Sequence, residues 1–267
     1  MTISTLFLEL RRSRALVIGM ALVTLVYGGI MGAMYPILQE NQALLDEYMK
    51  VFPKEFMAAF GMNGTLTDPG VFFTTYIASW LWPIVAAIAG IFIATRATAA
   101  DVERGWVEQP LATPLRRTSL AFASILDQAV ALLVIAVATV AGLVAVGIAV
   151  GAPFDAARFL MAVPSMFAFG AAIAGITMLL AVLTLSRGRA AGIVAGLLIA
   201  MYLLNVVVQI QPDFEAIGYL GLFHYLDATE IISAGTIPWV DLAVLSAVAL
   251  AGWGLATWQF RTRDLLA

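Results

Sequence analysis

Residues 120–150 read LAFASILDQAVALLVIAVATVAGLVAVGIAV, and Asp127 is the only charged side chain among them. From Gln128 to Val150 alone, a helix rising 1.5 Å per residue extends about 34 Å. The hydrocarbon core of a bilayer is roughly 30 Å thick. A segment of this length and apolarity crosses a membrane, and five more resemble it: Ala15–Leu38, Val71–Ala94, Phe159–Leu185, Ala190–Ile210 and Leu242–Phe260. The chain is 62% hydrophobic and 12% charged with mean hydropathy +0.97, well away from soluble composition. The expected fold is all-α, a polytopic membrane helical bundle of six spans forming a single transmembrane domain over residues 1–267.

Six spans put both termini on one side. Arg11, Arg12, Arg14, Arg96, Arg104, Arg116, Arg117, Arg187, Arg189, Arg261 and Arg263 fall on that side, whereas only Lys50, Lys54 and Arg158 fall opposite. By the positive-inside rule both termini are cytoplasmic in a multi-pass protein of the cell membrane. The Arg cluster at the start precedes about 25 uncharged residues, too long for a cleaved signal's apolar region, so the segment is expected to be retained. TISTLFLELRRSR, residues 2–14, suits a short interfacial helix leading into the first span. Outside, Leu44, Leu45, Tyr48, Phe52, Phe56 and Phe60 recur at helical intervals, with Pro53 able to open a second helix. Asn63-Gly64-Thr65 matches a glycosylation sequon, a pattern short enough to arise by chance. Residues 211–241 are too broken by acids, Gly and Pro to cross, and are expected as short helices at or re-entering the outer face.

Within the spans, Gly28/Gly32, Gly147/Gly151 and Gly192/Gly196 permit close helix approach. Pro83 and Pro164 are expected to kink spans two and four. Trp80, Trp82, Trp239 and Trp258 fit an aromatic belt at the interfaces.

Several chemistries are excluded. There is no Cys, hence no disulfide or thiolate site. The only lysines, Lys50 and Lys54, do not follow Gly, so no P-loop can hold ATP here. One histidine, His224, rules out two-histidine metal motifs, and no nucleophile elbow accompanies it. No metal site or nucleic-acid partner is expected. Asp127 admits two readings. An acid inside a span costs about 2.5–3.5 kcal/mol at mid-bilayer and marks a candidate proton or substrate site. Because the residues after it span unaided, it can equally sit at the cytoplasmic boundary near Arg116 or Arg117.

Residues 100–119, ADVERGWVEQPLATPLRRTS, form a charged island between spans two and three. Glu103, Arg104 and Gly105, then Glu108, Leu111, Pro114 and Arg117, resemble the coupling segment of the type 2 family of ABC exporter permeases. VFPKEFMAAFG (51–61), LFHYLDATEIISAG (222–235) and WQFRTRDLL (258–266) are similar to further family stretches, so the likeness covers most of the chain. Gln109-Pro110 interrupts what is often an unbroken leucine-rich helix and Trp106 replaces a smaller residue, which bears on the coupling helix's length. The resemblance implies a permease that forms the translocation path and works as a homo- or heterodimer with separate ABC ATP-binding subunits. ATP and Mg would bind in those partners, and this chain would hold no cofactor and catalyse no reaction. Beyond a second permease and the ATPase, its contacts would be membrane lipid. By family analogy the path runs near helices two and five, making Thr74, Thr75, Ser79, Asn205 and Gln209 candidate lining residues; each can equally bond its own helix backbone. An ion- or proton-coupled secondary transporter using Asp127 is the rival reading, and a membrane enzyme the third, though no convergent cluster of titratable groups supports the latter.

Overall fold

The computed structural model describes residues 3–53, 57, 62, 64–96 and 117–262. Helix α1, Ile3–Glu40, is followed by the short α2, Gln42–Met49. A long helix α3, Pro69–Thr95, precedes α4, Arg117–Ala149. Then come α5, Ala156–Met161, α6, Val163–Thr184, and α7, Arg187–Ile210. Short turns over Pro212–Phe214, Glu215–Gly218 and Leu222–Tyr225 lead to α8, Thr229–Ala234, and α9, Trp239–Thr262, closes the series. Among the described residues six helices are long and apolar enough to cross a membrane, and none forms a strand. The interfacial helix expected at the start is continuous with the first span. No Pro or Gly lies between Ile3 and Ala15 to break the hydrogen-bond ladder.

Helix α6 is the hub, packing against α3, α4, α7 and α9, and 72% of the apolar window it shares with α5 is buried. Helix α1 lies along α4. A Cβ on Gly28 or Gly32 would run into the Thr139 or Leu143 carbonyl, and one on Gly142 into the Leu25 carbonyl. Backbones that close pack by dispersion, the main attraction left between helices in lipid. Gly175 and Gly252 make a second such crossing between α6 and α9, which the spacing-four pattern did not point to. Gly192 and Gly196, by contrast, have nothing within 4 Å, and only 6% of the α7 window is buried.

One expectation needs correction, and both prolines lie beside a local irregularity. Trp82 is fully buried and donates from its indole Nε1 to the Met166 carbonyl at 2.7 Å, so it is a core residue and not part of a belt. Trp80, Trp239 and Trp258 are exposed. Span four is interrupted at Ala162, two residues ahead of Pro164, which sits in the first turn of α6 where its missing N–H has no partner to lose. At Pro83 the disruption takes the form of an eight-residue π segment, Thr74–Leu81, immediately upstream. The Trp82 N–H bonds the Ile77 carbonyl five residues back, and this wider winding carries the ladder up to the proline.

Candidate functional site

At the end of the bundle where α1 begins, three helices bring charge together. Glu9 and Ser13 lie four apart on one face of α1. Arg96 follows the last residue of α3, and Asp127 projects from α4. Arg96 Nη2 reaches Glu9 Oε2 at 3.2 Å and Asp127 Oδ2 at 3.3 Å, and also the Glu9 carbonyl at 3.4 Å. Ser13 donates its hydroxyl to Asp127 Oδ1, and Arg12 adds an ion pair to Glu9 Oε1 at 3.4 Å. Glu9, Ser13 and Asp127 are 5%, 1% and 1% exposed, so water screens this knot weakly. Two carboxylates meet two guanidinium groups, and no net charge is left buried. The Nε of Arg96 is buried without a hydrogen-bond partner, as expected of a side chain held chiefly at its tip.

The cation placed against Asp127 is therefore Arg96, while Arg116 and the side chain of Arg117 lie outside the described residues. Neither Glu9 nor Ser13 stood out in the sequence. Their signal was faint: an acid among arginines, spaced one helical turn before a serine. The coupling residues Glu103, Arg104, Gly105, Trp106, Glu108, Leu111 and Pro114 also lie outside the described residues, as do Phe56, Phe60 and Asn63. Arg117 opens α4, so the undescribed 97–116 begins directly after the knot's central arginine.

Toward the opposite end a cavity of about 430 Å³ opens between α3, α7 and the connection before α9. Thr74 and Ser79 line it from α3, and Asn205 and Gln209 from α7, together with Tyr202, Phe223, His224, Asp227 and Glu230. In the π segment, bonds to the fifth residue bring positions five apart nearly into line, which turns Thr74 and Ser79 to the same side. Asn205 and Gln209 share a helix face by ordinary α spacing. Thr75 is buried and is not among the lining residues.

The connection before α9 is held in place by polar contacts to the start of α3. Asp68 caps α3 by accepting from the Gly70 and Val71 N–H groups, and its Oδ1 also accepts from the Ser233 hydroxyl at 2.6 Å. The Thr229 hydroxyl donates to Thr74 Oγ1 at 2.9 Å. Gly70 is required here: a Cβ would strike Ser233 Oγ and sit close to the Thr229 carbonyl. Arg158 ties down the far side through the Ser233 carbonyl at 2.7 Å.

Six apolar helices, a buried ionic knot at one end and a polar cavity toward the other define a polytopic helical membrane protein. The chain matches the family described as ABC-2 family transporter protein over residues 7–265, and it belongs to that family. It is thus a permease component of an ABC transporter. No curated protein matches it.

Proposed function

We propose that this permease is the membrane half of an ATP-driven exporter. Two copies, or this chain and a related one, pair in the cell membrane with separate ATP-binding subunits, with both termini cytoplasmic. Residues 100–119 dock on the ATPase, and closure of the nucleotide-bound subunits shifts the spans between two packed arrangements. The path runs beside α3 and α7 and includes Thr74, Ser79, Asn205 and Gln209. Family membership sets the class, and the resemblance of the charged island to exporter permeases supports the direction.

The observation that carries the coupling is the knot. Arg96 is anchored to α1 through Glu9 and to α4 through Asp127 at the point where the island leaves the bundle. A force on the island is delivered to three spans at once.

The test is to replace Glu103, Trp106 and Glu108 with Ala and measure binding of the purified ATPase and ATP-dependent transport. Buried interface anchors cost about 2 kcal/mol or more when truncated, so association should weaken roughly tenfold or further. Substrate affinity without nucleotide should hold. Unchanged transport in these variants, with transport abolished by Asp127→Asn, would move the assignment to an ion-coupled carrier.

A further inference from the structure

The polar cavity shares part of its wall with a neighbour. Ser79, Tyr202 and Phe223 also line a second, apolar groove of about 380 Å³ that runs along α3 and α7 past Trp80, Ile84, Ile88 and Ile199. The two compartments differ in chemistry. The first carries the carboxylates of Asp227 and Glu230, both exposed, and no Lys or Arg is among its lining residues. Asp241, at the start of α9, interacts electrostatically with both acids and with His224, the one lining group able to carry positive charge. The groove beyond is walled almost wholly by aliphatic and aromatic carbon. Tyr202 and Phe223 stand at the junction, with their rings 5.6 Å apart and nearly perpendicular.

We infer that the joined cavities bind an amphiphile with an organic cationic head and a hydrocarbon tail, the head between Asp227, Glu230 and the Tyr202–Phe223 pair, the tail along the groove toward Ile88. This rests on the reading of the cavity as part of the transport path. The carboxylates favour a cation and repel anionic heads. Aromatic faces beside acids suit a quaternary or protonated amine, whose charge is spread over carbon and weakly hydrated. An inorganic ion needs converging oxygen ligands at short range and no apolar groove. Among the described residues no group of acids or histidine is arranged to hold a metal. A cavity of this size adjoining a groove of similar size across three shared residues suits one molecule with two unlike halves.

Trp80 lines the groove and is exposed to it, giving a local reporter. The permease, without ATPase or nucleotide, is placed in nanodiscs of zwitterionic lipid and titrated with ω-brominated dodecyltrimethylammonium, whose bromine quenches indole fluorescence on contact. The dodecyl sulfate and dodecyl maltoside with the same brominated chain are the comparisons. Trp80→Phe defines the fraction of quenching that belongs to the groove. The ammonium compound should reach half-quenching of that fraction at a concentration at least tenfold below either comparison. Asp227→Asn with Glu230→Gln should raise that concentration about tenfold, because two charge contacts are lost at an exposed mouth, and should leave the maltoside unchanged. Asp227 Oδ1 accepts from the Thr229 N–H at 2.7 Å, a bond the amide oxygen of asparagine can keep, and both acids are exposed, so the variant keeps its packing. Equal quenching by sulfate and ammonium, or an ammonium titration indifferent to the double variant, overturns the inference. So does a Trp80 that none of the three reaches, as when a second copy seals the groove. Because no ATPase is present, selective ammonium binding by a permease that fails to associate with any ATP-binding subunit would sink the exporter reading alone. An intact coupled complex without charge selectivity would sink this inference alone.

Discussion

Replacing Arg96 with Met leaves Glu9 and Asp127 facing one another across a buried site with the central cation gone. At contacts of 3.2 and 3.3 Å each carboxylate is attracted to the guanidinium by about 5 kcal/mol in an effective dielectric of about 20, and desolvation of the ions offsets much of this. What remains decisive is the asymmetry of the loss: breaking a buried pair by removing one partner costs about 3–5 kcal/mol, since an uncompensated charge stays behind. Arg12 continues to neutralise part of Glu9, so the larger share falls on Asp127. Equilibrium unfolding in mixed micelles should show Arg96→Met destabilised by about 3 kcal/mol or more. Adding Asp127→Asn removes the stranded charge, and the double variant should regain at least about 1 kcal/mol against the sum of the singles, a coupling typical of residues in one network. Arg96→Lys should fall between wild type and Met, because an ammonium keeps the charge but its nitrogen ends one bond short of Nη2, the single atom through which Arg96 reaches both carboxylates. A cost below about 1 kcal/mol for Arg96→Met, or additivity of the two substitutions within about 0.5 kcal/mol, would refute the knot as a stabilising unit.

Gly142→Ala should destabilise by about 1–3 kcal/mol, because the added methyl meets the Leu25 backbone, which cannot yield as a side chain does. Gly192→Ala, with open space around it, should be neutral or more stable by up to about 1 kcal/mol, and the same unfolding assay reads both. Trp82→Phe should cost about 2 kcal/mol or more, combining the lost indole bond to the Met166 carbonyl with the space left by the indole, and loss of its buried emission checks the substitution. In this Cys-free chain, Ser186→Cys and Met62→Cys should label from opposite faces of the membrane; labelling of both by an impermeant reagent from one side would end the six-span topology.

Much of this protein is written locally. Spans are legible because a bilayer demands about 20 apolar residues in a row and every backbone group bonded within its own helix, both of which are properties of contiguous sequence. The failure of residues 211–241 to cross is legible for the same reason, since acids, Gly and Pro interrupt the run. The lining of the polar cavity was partly reached through family analogy, which pointed to Asn205 and Gln209, and helical period sets these two on one face. Thr74 and Ser79 share theirs only because the helix winds as a π segment ahead of Pro83, a departure that the period of an α-helix does not contain. Gly28 and Gly192 look alike in sequence, each followed by Gly four residues on, yet one is pressed against α4 and the other faces open space. The pattern licenses close approach, and the fold chooses where to use it. Trp80 and Trp82, two residues apart on one helix, face nearly opposite sides by helical geometry alone, and the packing of α6, whose Met166 carbonyl receives the Trp82 indole, decides which of them turns inward. The ionic knot is the clearest case. Arg96 is 87 positions from Glu9 and 31 from Asp127, and a chain of single residues carries no mark of which distant charge will neutralise which. Only the packing of α1, α3 and α4 brings them within 3.3 Å, and burial then makes the pairing obligatory, because a lone charge there would be too costly to keep.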